Sequence, residues 1–257
     1  FKLRGKTHLL MLTDDVSEKR TLQERLIRQE RLAMLGELAG SIAHELRNPL
    51  GVISNAVYYL KSVQTKADED VKEYLEIIEE ETQGATKIVS DLLDFTRGVE
   101  PNREKVKLAP VLTQILKRHP LPKQIQVETQ LPEVCPSLSM GPGHLEQILT
   151  NLITNACQAM PEGGRLTIQA SVESNQSMSA DKQLRITVKD TGTGIPEENL
   201  DKIFEPLFTT RARGIGLGLA ITKKLVKANR GEISVESEVG VGSCFTIYLP
   251  VWSELNP

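Results

Sequence analysis

The chain has 257 residues, a formal net charge of −3 and 39% hydrophobic residues, enough for one large domain or two modest ones. The near-balanced charge gives no bulk electrostatic reason to expect a nucleic-acid partner, the longest apolar runs fall short of a membrane span, and no signal-peptide pattern is present. Cys135, Cys157 and Cys244 are odd in number and widely spaced, so they match no zinc or disulfide pattern and read as reduced thiols of a cytoplasmic protein, with a membrane tether of a longer protein still compatible.

From about Asp15 to Phe95 the pattern is almost all helical. Leu22, Leu26, Gln29, Ala33, Gly36, Gly40 and Ala43 follow a 4-3 spacing, and Leu32, Leu35, Ala39, Ile42 and Leu46 form a second stripe beside it. Two adjacent stripes make an apolar face wider than a coiled-coil seam needs. A second helix is expected from Asp68 to Phe95, after the polar turn VQTKADED, with Tyr74, Leu75, Ile78, Thr82, Ala85, Val89, Leu92 and Phe95 inward. A four-helix bundle buries such faces. Two helices cannot close that core alone, which implies a homodimer of hairpins.

The segment RGVEPNREK carries Gly, Pro and charge, and residues 97–104 read as a linker. Beyond it, over 105–252, the pattern is mixed. A short helix is expected at Pro110–Arg118, a strand at IQVET and a longer helix from His144 to Met160. The strands RLTIQASV and QLRITVKD follow, separated by a polar loop, then a Gly-rich segment, the helix LGLAITKKLVKAN, and the strands EISVES and SCFTIYLPV. This mixture of helices and antiparallel hairpin strands predicts an α+β layer with helices on one face of a sheet.

Three segments of this second half carry chemistry. In HLEQILTNLITNACQAM, Gln147, Asn151 and Asn155 lie four apart on one helical face, while Ile148, Leu149, Leu152, Ile153 and Ala156 occupy the other. Asparagine is a mediocre helix former. Stacked asparagines are either a solvated polar face or amide-oxygen ligands for a hard cation such as Mg²⁺, which keeps several waters beside phosphates. In VKDTGTGIP, Asp190 ends a strand, and Gly192 and Gly194 permit a tight turn with close backbone approach. An acid there can accept from an exocyclic amine such as that of adenine, or it simply starts an Asp-Thr-Gly turn. In RGIGLGLAI, Gly214, Gly216 and Gly218 lead into a helix whose backbone N–H groups and dipole suit phosphate. Each signal alone is ambiguous; their order favours a nucleotide site.

A further stretch, SIAHELRNPL, places His44 and Glu45 in a helical pattern with Asn48 and Pro49 just beyond. HELRNPL resembles the H-box of sensor histidine kinases, and LTNLITNACQAM their N-box. DTGTGIP resembles the G1 box, IFEPLFTT the F-box, GIGLGLAI the G2 box and GVGSCFTIYLP the closing strands. The boxes stand in family order over roughly residues 25–250. The resemblance implies a helical hairpin forming a dimeric four-helix bundle (residues 15–96, including a coiled-coil linker), followed by an α/β sandwich ATP-binding domain of the gyrase/Hsp90/histidine kinase/MutL type. Residues 1–14 resemble the last strand and exit motif of a PAS sensor domain, so an upstream sensor is expected. The short lid and the wording NACQAM and PLFTT are similar to nitrogen-regulation-like, PAS-linked kinases.

The resemblance makes His44 the phosphoacceptor. Attack by its imidazole on the γ-phosphate requires loss of a proton, and Glu45 is placed to accept or orient it. Asn48, one turn on, can position water against a phosphate. Pro49 cannot donate to the Glu45 carbonyl and loosens the helix just past His44. The resemblance assigns Asn155 to Mg²⁺ and Asp190 to the adenine amine, with Asn151 near the metal or phosphates. Gly192 and Gly194 shape the adenine pocket, Gly214, Gly216, Leu217 and Gly218 border the triphosphate, and Phe204 and Phe208 anchor or cover a lid at 209–213. Arg211 and Arg213 in that lid either touch phosphate or serve solubility. A response-regulator receiver domain is the implied partner, with transfer to its aspartate and dephosphorylation of it; no nucleic-acid or membrane contact of these residues is expected.

Several positions depart from the family pattern. Ile215 stands where Thr is common, Gln158 where Lys or Arg is common, Gly141 in place of an acid, and Asn229-Arg230 in place of His-Gly. Two other functions compete. One is an ATP hydrolase of the same superfamily, which places Glu where this chain has Asn151. The other is a non-enzymatic dimeric scaffold that binds a receiver.

Overall fold

The computed structural model describes residues 2–3, 6–7, 46–62, 69–96, 103–118, 120–174, 182–210 and 215–253. His44, Glu45, Arg211, Arg213, Gly214 and the helical stripes before Leu46 therefore lie outside the described residues. So does nearly all of the expected PAS-like segment, of which β1 (Lys2–Leu3) and β2 (Lys6–Thr7) form a short antiparallel ladder.

Helix α1 (residues 46–62) and helix α2 (Glu69–Thr96) form the hairpin. Leu75, Thr82 and Val89, spaced by seven, are buried together with Leu93 and Val57, and Leu50 of α1 packs on Val89 and Leu93. A Lys61 Nζ–Glu79 Oε2 pair at 2.6 Å ties the two helices across their exposed side. Within one chain Tyr74 and Ile78 face outward, 67% and 43% exposed. A two-helix seam is only one stripe wide, so the second apolar stripe has no surface to meet within one chain.

The remaining elements build a two-layer sandwich. β3 (Glu104–Val106) pairs antiparallel with β5 (Leu138–Met140). A five-stranded sheet has the order β4 (Ile125–Gln130), β6 (Gly164–Ser174), β7 (Lys182–Asp190), β9 (Gly242–Pro250), β8 (Glu232–Glu238). Helices α3 (Leu108–Arg118), α4 (His144–Ala159) and α6 (Gly218–Ala228) cover one face, and a short α5 (Glu197–Leu200) follows β7. Alternate residues of the strands point inward: Leu166 and Ile168 of β6, Leu184, Ile186 and Val188 of β7, and Phe245, Ile247 and Leu249 of β9. They meet Leu112 and Ile115 of α3, Ile148, Leu149, Leu152 and Ile153 of α4, and Ile221 and Val226 of α6. Each fully buried side chain of this kind contributes roughly 1.5–3 kcal/mol.

Glu104 and Lys105, at the boundary of the expected linker and domain, belong with Val106 to β3; a three-residue strand is too short to leave a period in sequence. β6 and β7 form the expected antiparallel hairpin, while β4 and β6 pair in parallel. The chain between them passes through β5 and α4 on one face of the sheet, and such a crossover returns a strand in the same direction.

The end of α2 is fastened to this sandwich. Leu92 and Phe95 pack against its core. Gln147 Nε2 of α4 donates to Asp94 Oδ2 at 2.7 Å. Lys224 Nζ of α6 donates to the Phe95 carbonyl at 2.7 Å and lies 5.6 Å above the Phe95 ring centroid. Burial lowers the Lys224 pKa, and Asp94 acts the other way.

Candidate nucleotide site

A cavity of about 420 Å³ opens between α4, the β7–α5 turn and the start of α6, with residues 208–210 at its mouth. The amphipathic pattern of α4 explains one wall. With Leu152 and Ile153 committed to the core, the opposite face brings Asn151, Asn155 and Gln158 to the cavity.

Asn151 is buried, and its Nδ2 donates to the Gly218 carbonyl at 3.1 Å and toward Thr222 Oγ1 at 3.4 Å. Thr222 Oγ1 in turn donates to the Gly218 carbonyl at 2.9 Å. The Asn151 amide therefore locks α4 to the first turn of α6. A glutamate carboxylate at this position would face the Gly218 carbonyl with an acceptor where a donor is needed. The N-cap Leu217 makes no side-chain cap bond and is itself buried. The opening N–H groups of α6 thus take no cap from Leu217, and a helix start of this kind suits an anion at the cavity.

Asp190 ends β7 at 2% exposure. Its Oδ1 accepts from the backbone N–H of Gly192 at 2.8 Å and of Ser243 at 3.2 Å, which fixes the carboxylate beneath the turn. The glycines of this turn are demanded by backbone approach. A Cβ on Gly192 would lie 2.4 Å from the Ala159 carbonyl oxygen, and Gly194 has φ +70° with the Glu238 carbonyl 2.1 Å from where its Cβ would be. The same close packing lets Thr193 N–H donate to the Ala159 carbonyl at 3.0 Å. Gly216, at φ +72°, packs so closely on the Phe208 carbonyl that a Cβ would sit 2.3 Å from its oxygen. Gly218 differs: a Cβ there would make only ordinary contact, 3.7 Å from Asn151.

The structure brings Asn151, Asn155, Gly194, Phe208, Gly216, Leu217 and Gly218 to one cavity. Asp190 and Gly192 lie beneath its β7–α5 wall and are not among its lining residues, and neither is Phe204. Its ring meets Phe245 edge-on at 6.4 Å, with Lys223 Nζ 5.0 Å above it, so it anchors the segment before the lid from behind. Asn48 lies on α1, exposed. Among the cavity residues that sequence did not point to are its two charged ones, Lys87 and Asp91 of α2, an i,i+4 pair at 3.4 Å. Burial raises the Asp91 pKa, and Lys87 works against that. Sequence offered only an ordinary charge pair on a helix, and no local signal showed that this turn of α2 reaches the cavity.

Two of the departures, Gly141 and Asn229, are in contact. Gly141 N–H donates to Asn229 Oδ1 at 3.0 Å, and Asn229 Nδ2 donates to the Leu225 carbonyl at 2.7 Å and lies 3.0 Å from His144 Nδ1. A side chain on Gly141 would collide with the His144 ring, 2.2 Å from its Cε1. Arg230 takes φ +58°, a conformation that glycine adopts without cost.

Comparison with known proteins agrees with this architecture. Residues 34–101 match the His Kinase A (phospho-acceptor) domain, and residues 140–253 match the histidine kinase-, DNA gyrase B-, and HSP90-like ATPase family. The chain is 33% identical over 245 residues to the signal transduction histidine-protein kinase AtoS of Escherichia coli, covering 94% of this chain and 39% of that protein. It is 34% identical to the sensor histidine kinase ZraS of Escherichia coli, covering 91% of this chain and 49% of that one. Sporulation kinase E of Bacillus subtilis is 31% identical, with 94% of this chain and 32% of that protein covered. The chain thus spans about a third to a half of the length of these curated relatives. The structure of full-length ShkA in complex with AMPPNP superposes with a TM-score of 0.66 at 26% identity, covering 84% of this chain and 46% of ShkA. The Acinetobacter baumannii histidine kinase AdeS shares the fold, with a TM-score of 0.53 at 23% identity, covering 82% of this chain and 98% of that one. The chain belongs to the sensor histidine kinases of two-component systems, with a phospho-acceptor hairpin followed by a histidine kinase-type ATPase domain.

Proposed function

We propose that this chain autophosphorylates His44 from ATP and passes the phosphoryl group to an aspartate of a response-regulator receiver domain, which it also dephosphorylates. The observation that carries the reading is the convergence on one cavity of the α4 amides, the turn anchored by Asp190 and the glycine-bordered start of α6. Asp190 holds one carboxylate oxygen on two backbone N–H groups, a fixed acid suited to the adenine amine beside the turn. The start of α6 receives the phosphates.

The residues also fit Mg²⁺ as the companion cation. Among the described residues no group of three or more His, Cys, Asp or Glu could cage a metal. That suits a hard ion carried mainly by phosphate oxygens and water, with the Asn155 amide oxygen as its protein ligand. Bound there, the ion would neutralise developing charge on the phosphates. Phosphoryl transfer needs positioning and charge neutralisation above all. Glu45 takes the imidazole proton as His44 attacks, and Asn48 orients water in the reverse task.

The exposed stripe of the hairpin, including Tyr74 and Ile78, is assigned to a second copy of the chain. An upstream PAS-like sensor would supply the input. No described helix is long and apolar enough to cross a membrane; a cytoplasmic location is part of the proposal and follows from the ATP reading. The hydrolase alternative is disfavoured by Asn151, whose amide is engaged by the Gly218 carbonyl.

The test is stoichiometric labelling with γ-labelled Mg-ATP. An acid-labile, alkali-stable phosphoramidate is expected, and it should vanish in His44→Gln. Wild-type labelling of His44→Gln would defeat the assignment. Glu45→Ala should lose about 10²–10⁴ in labelling rate yet still dephosphorylate the regulator, and Asn48→Ala should show the reverse.

A further inference from the structure

The nucleotide cavity is not made by the sandwich alone. Its described lining offers amides, hydroxyls, backbone and apolar side chains, one acid, Asp91, and one cation, Lys87. Both charged residues come from α2 of the helical hairpin. On α4, Gln158 brings an uncharged amide to the lining. A triphosphate brings several negative charges into this space, and Asp91 adds another at the rim.

We propose that Lys87 is a phosphate-binding residue of the nucleotide site, delivered from the hairpin, so that nucleotide affinity depends on the docking of α2 against α4 and α6. The inference rests on the ATP reading above and adds to it a residue outside the ATPase fold. The docking contacts are separate from the cavity: Leu92 and Phe95 on the sandwich core, Gln147 to Asp94, and Lys224 to the Phe95 carbonyl. They lie one to two turns beyond Lys87, at the end of the same rigid helix, and so set where its side chain can reach.

The existing partner of Lys87 does not prevent the exchange. Its ion pair with Asp91 is 3.4 Å long, and the Lys87 side chain is 51% exposed, a geometry that binds weakly. A phosphate offers more charge and several acceptor oxygens to the same ammonium. Asp91 then stays one turn away, where without Lys87 it would repel the nucleotide. Linkage makes the effect reciprocal: if docking strengthens nucleotide binding, nucleotide strengthens docking by the same factor. The hairpin would thus sense an occupied site before any phosphoryl group moves.

The test is calorimetric titration of the full chain with Mg-ATP and, separately, with adenosine. Lys87→Ala should weaken ATP binding about three- to tenfold, a charge-assisted contact discounted for exposure, and leave adenosine binding unchanged. Lys87→Arg should restore most of the ATP affinity. Phe95→Ala, which does not line the cavity, should weaken ATP binding by a similar factor, and adding it to Lys87→Ala should cost little more. ATP affinity unchanged in Lys87→Ala, or lost equally for adenosine, would overturn the role of Lys87. Undiminished ATP affinity in Phe95→Ala would overturn the coupling. Absence of binding of both ligands to the unaltered chain would overturn this inference together with the ATP reading, whereas loss confined to the Lys87 comparison leaves that reading standing.

Discussion

The sandwich and the hairpin are built from the same kinds of apolar residue and end in opposite conditions. In the sandwich, strands alternating with period two and helices with one apolar stripe find each other within a single chain, and side chains such as Leu152, Ile186 and Ile247 are wholly buried. In the hairpin, one seam closes around Leu75, Thr82, Val89 and Leu93, while Tyr58, Tyr74, Ile77 and Ile78 remain open. The lesson is geometric. A sheet covered on one face by helices exhausts its apolar surface with three helices, but a pair of helices with double stripes has more apolar surface than one mate can cover.

The contrast can be broken in several ways, the most severe first. Asn155→Ala should abolish phosphoryl labelling while both regions stay folded, because it removes a proposed metal ligand from a face that carries no core packing; circular dichroism and labelling on one sample check this. Leu152→Ala should destabilise the sandwich by about 2–5 kcal/mol, measured by denaturant unfolding, and leave the hairpin's association untouched. Asp190→Asn should weaken ATP binding about tenfold to a hundredfold, since a bond to a charged group is worth roughly 1.5–3 kcal/mol; unchanged affinity would remove Asp190 from the site.

A smaller effect is expected at Arg230. Its φ of +58° strains any side chain, so Arg230→Gly should stabilise the sandwich by about 1 kcal/mol and raise its melting temperature slightly, without altering nucleotide binding. The smallest concerns Asp91, whose pKa is raised above the ordinary aspartate value by burial. A raised carboxyl pKa means that the folded state binds its proton more tightly. The stability it contributes is present below the unfolded pKa and is lost as pH rises through the folded value. Asp91→Asn should therefore melt no lower than the unaltered chain at neutral pH, with any gain shrinking as the pH falls toward about 4. A variant that melts well below the parent at neutral pH would show that the Lys87 pair outweighs the burial.

Much of the sandwich was legible before any coordinates. His144–Met160 and the glycine-led helix at 218 were placed within a residue or two, because long amphipathic periods and Gly-rich starts are local signals. The Asn151 and Asn155 face and the Asp190 turn were also visible, since polar residues bordering a core pattern need a reason. β3 was not, because three residues carry no period. Neither was the parallel pairing of β4 with β6, because strand direction is set by the path of the intervening chain. Which apolar residues of α2 stay open within one chain was not legible either, because periodicity tells how wide an apolar face is, not which part of it one mate can reach.

By itself, then, the sequence determined the order of the boxes, the two kinds of architecture and the residue types of the nucleotide site, all of which follow from contacts near in the chain or from the period of one element. Tertiary structure alone decided that Asn151 clamps α6, that Gly192 and Gly194 are held by the carbonyls of Ala159 and Glu238, and that Lys87 and Asp91 stand at a cavity built mostly from residues 60 or more positions later. Such contacts join distant segments through packing, and no period or spacing within a segment records where another segment will come to rest.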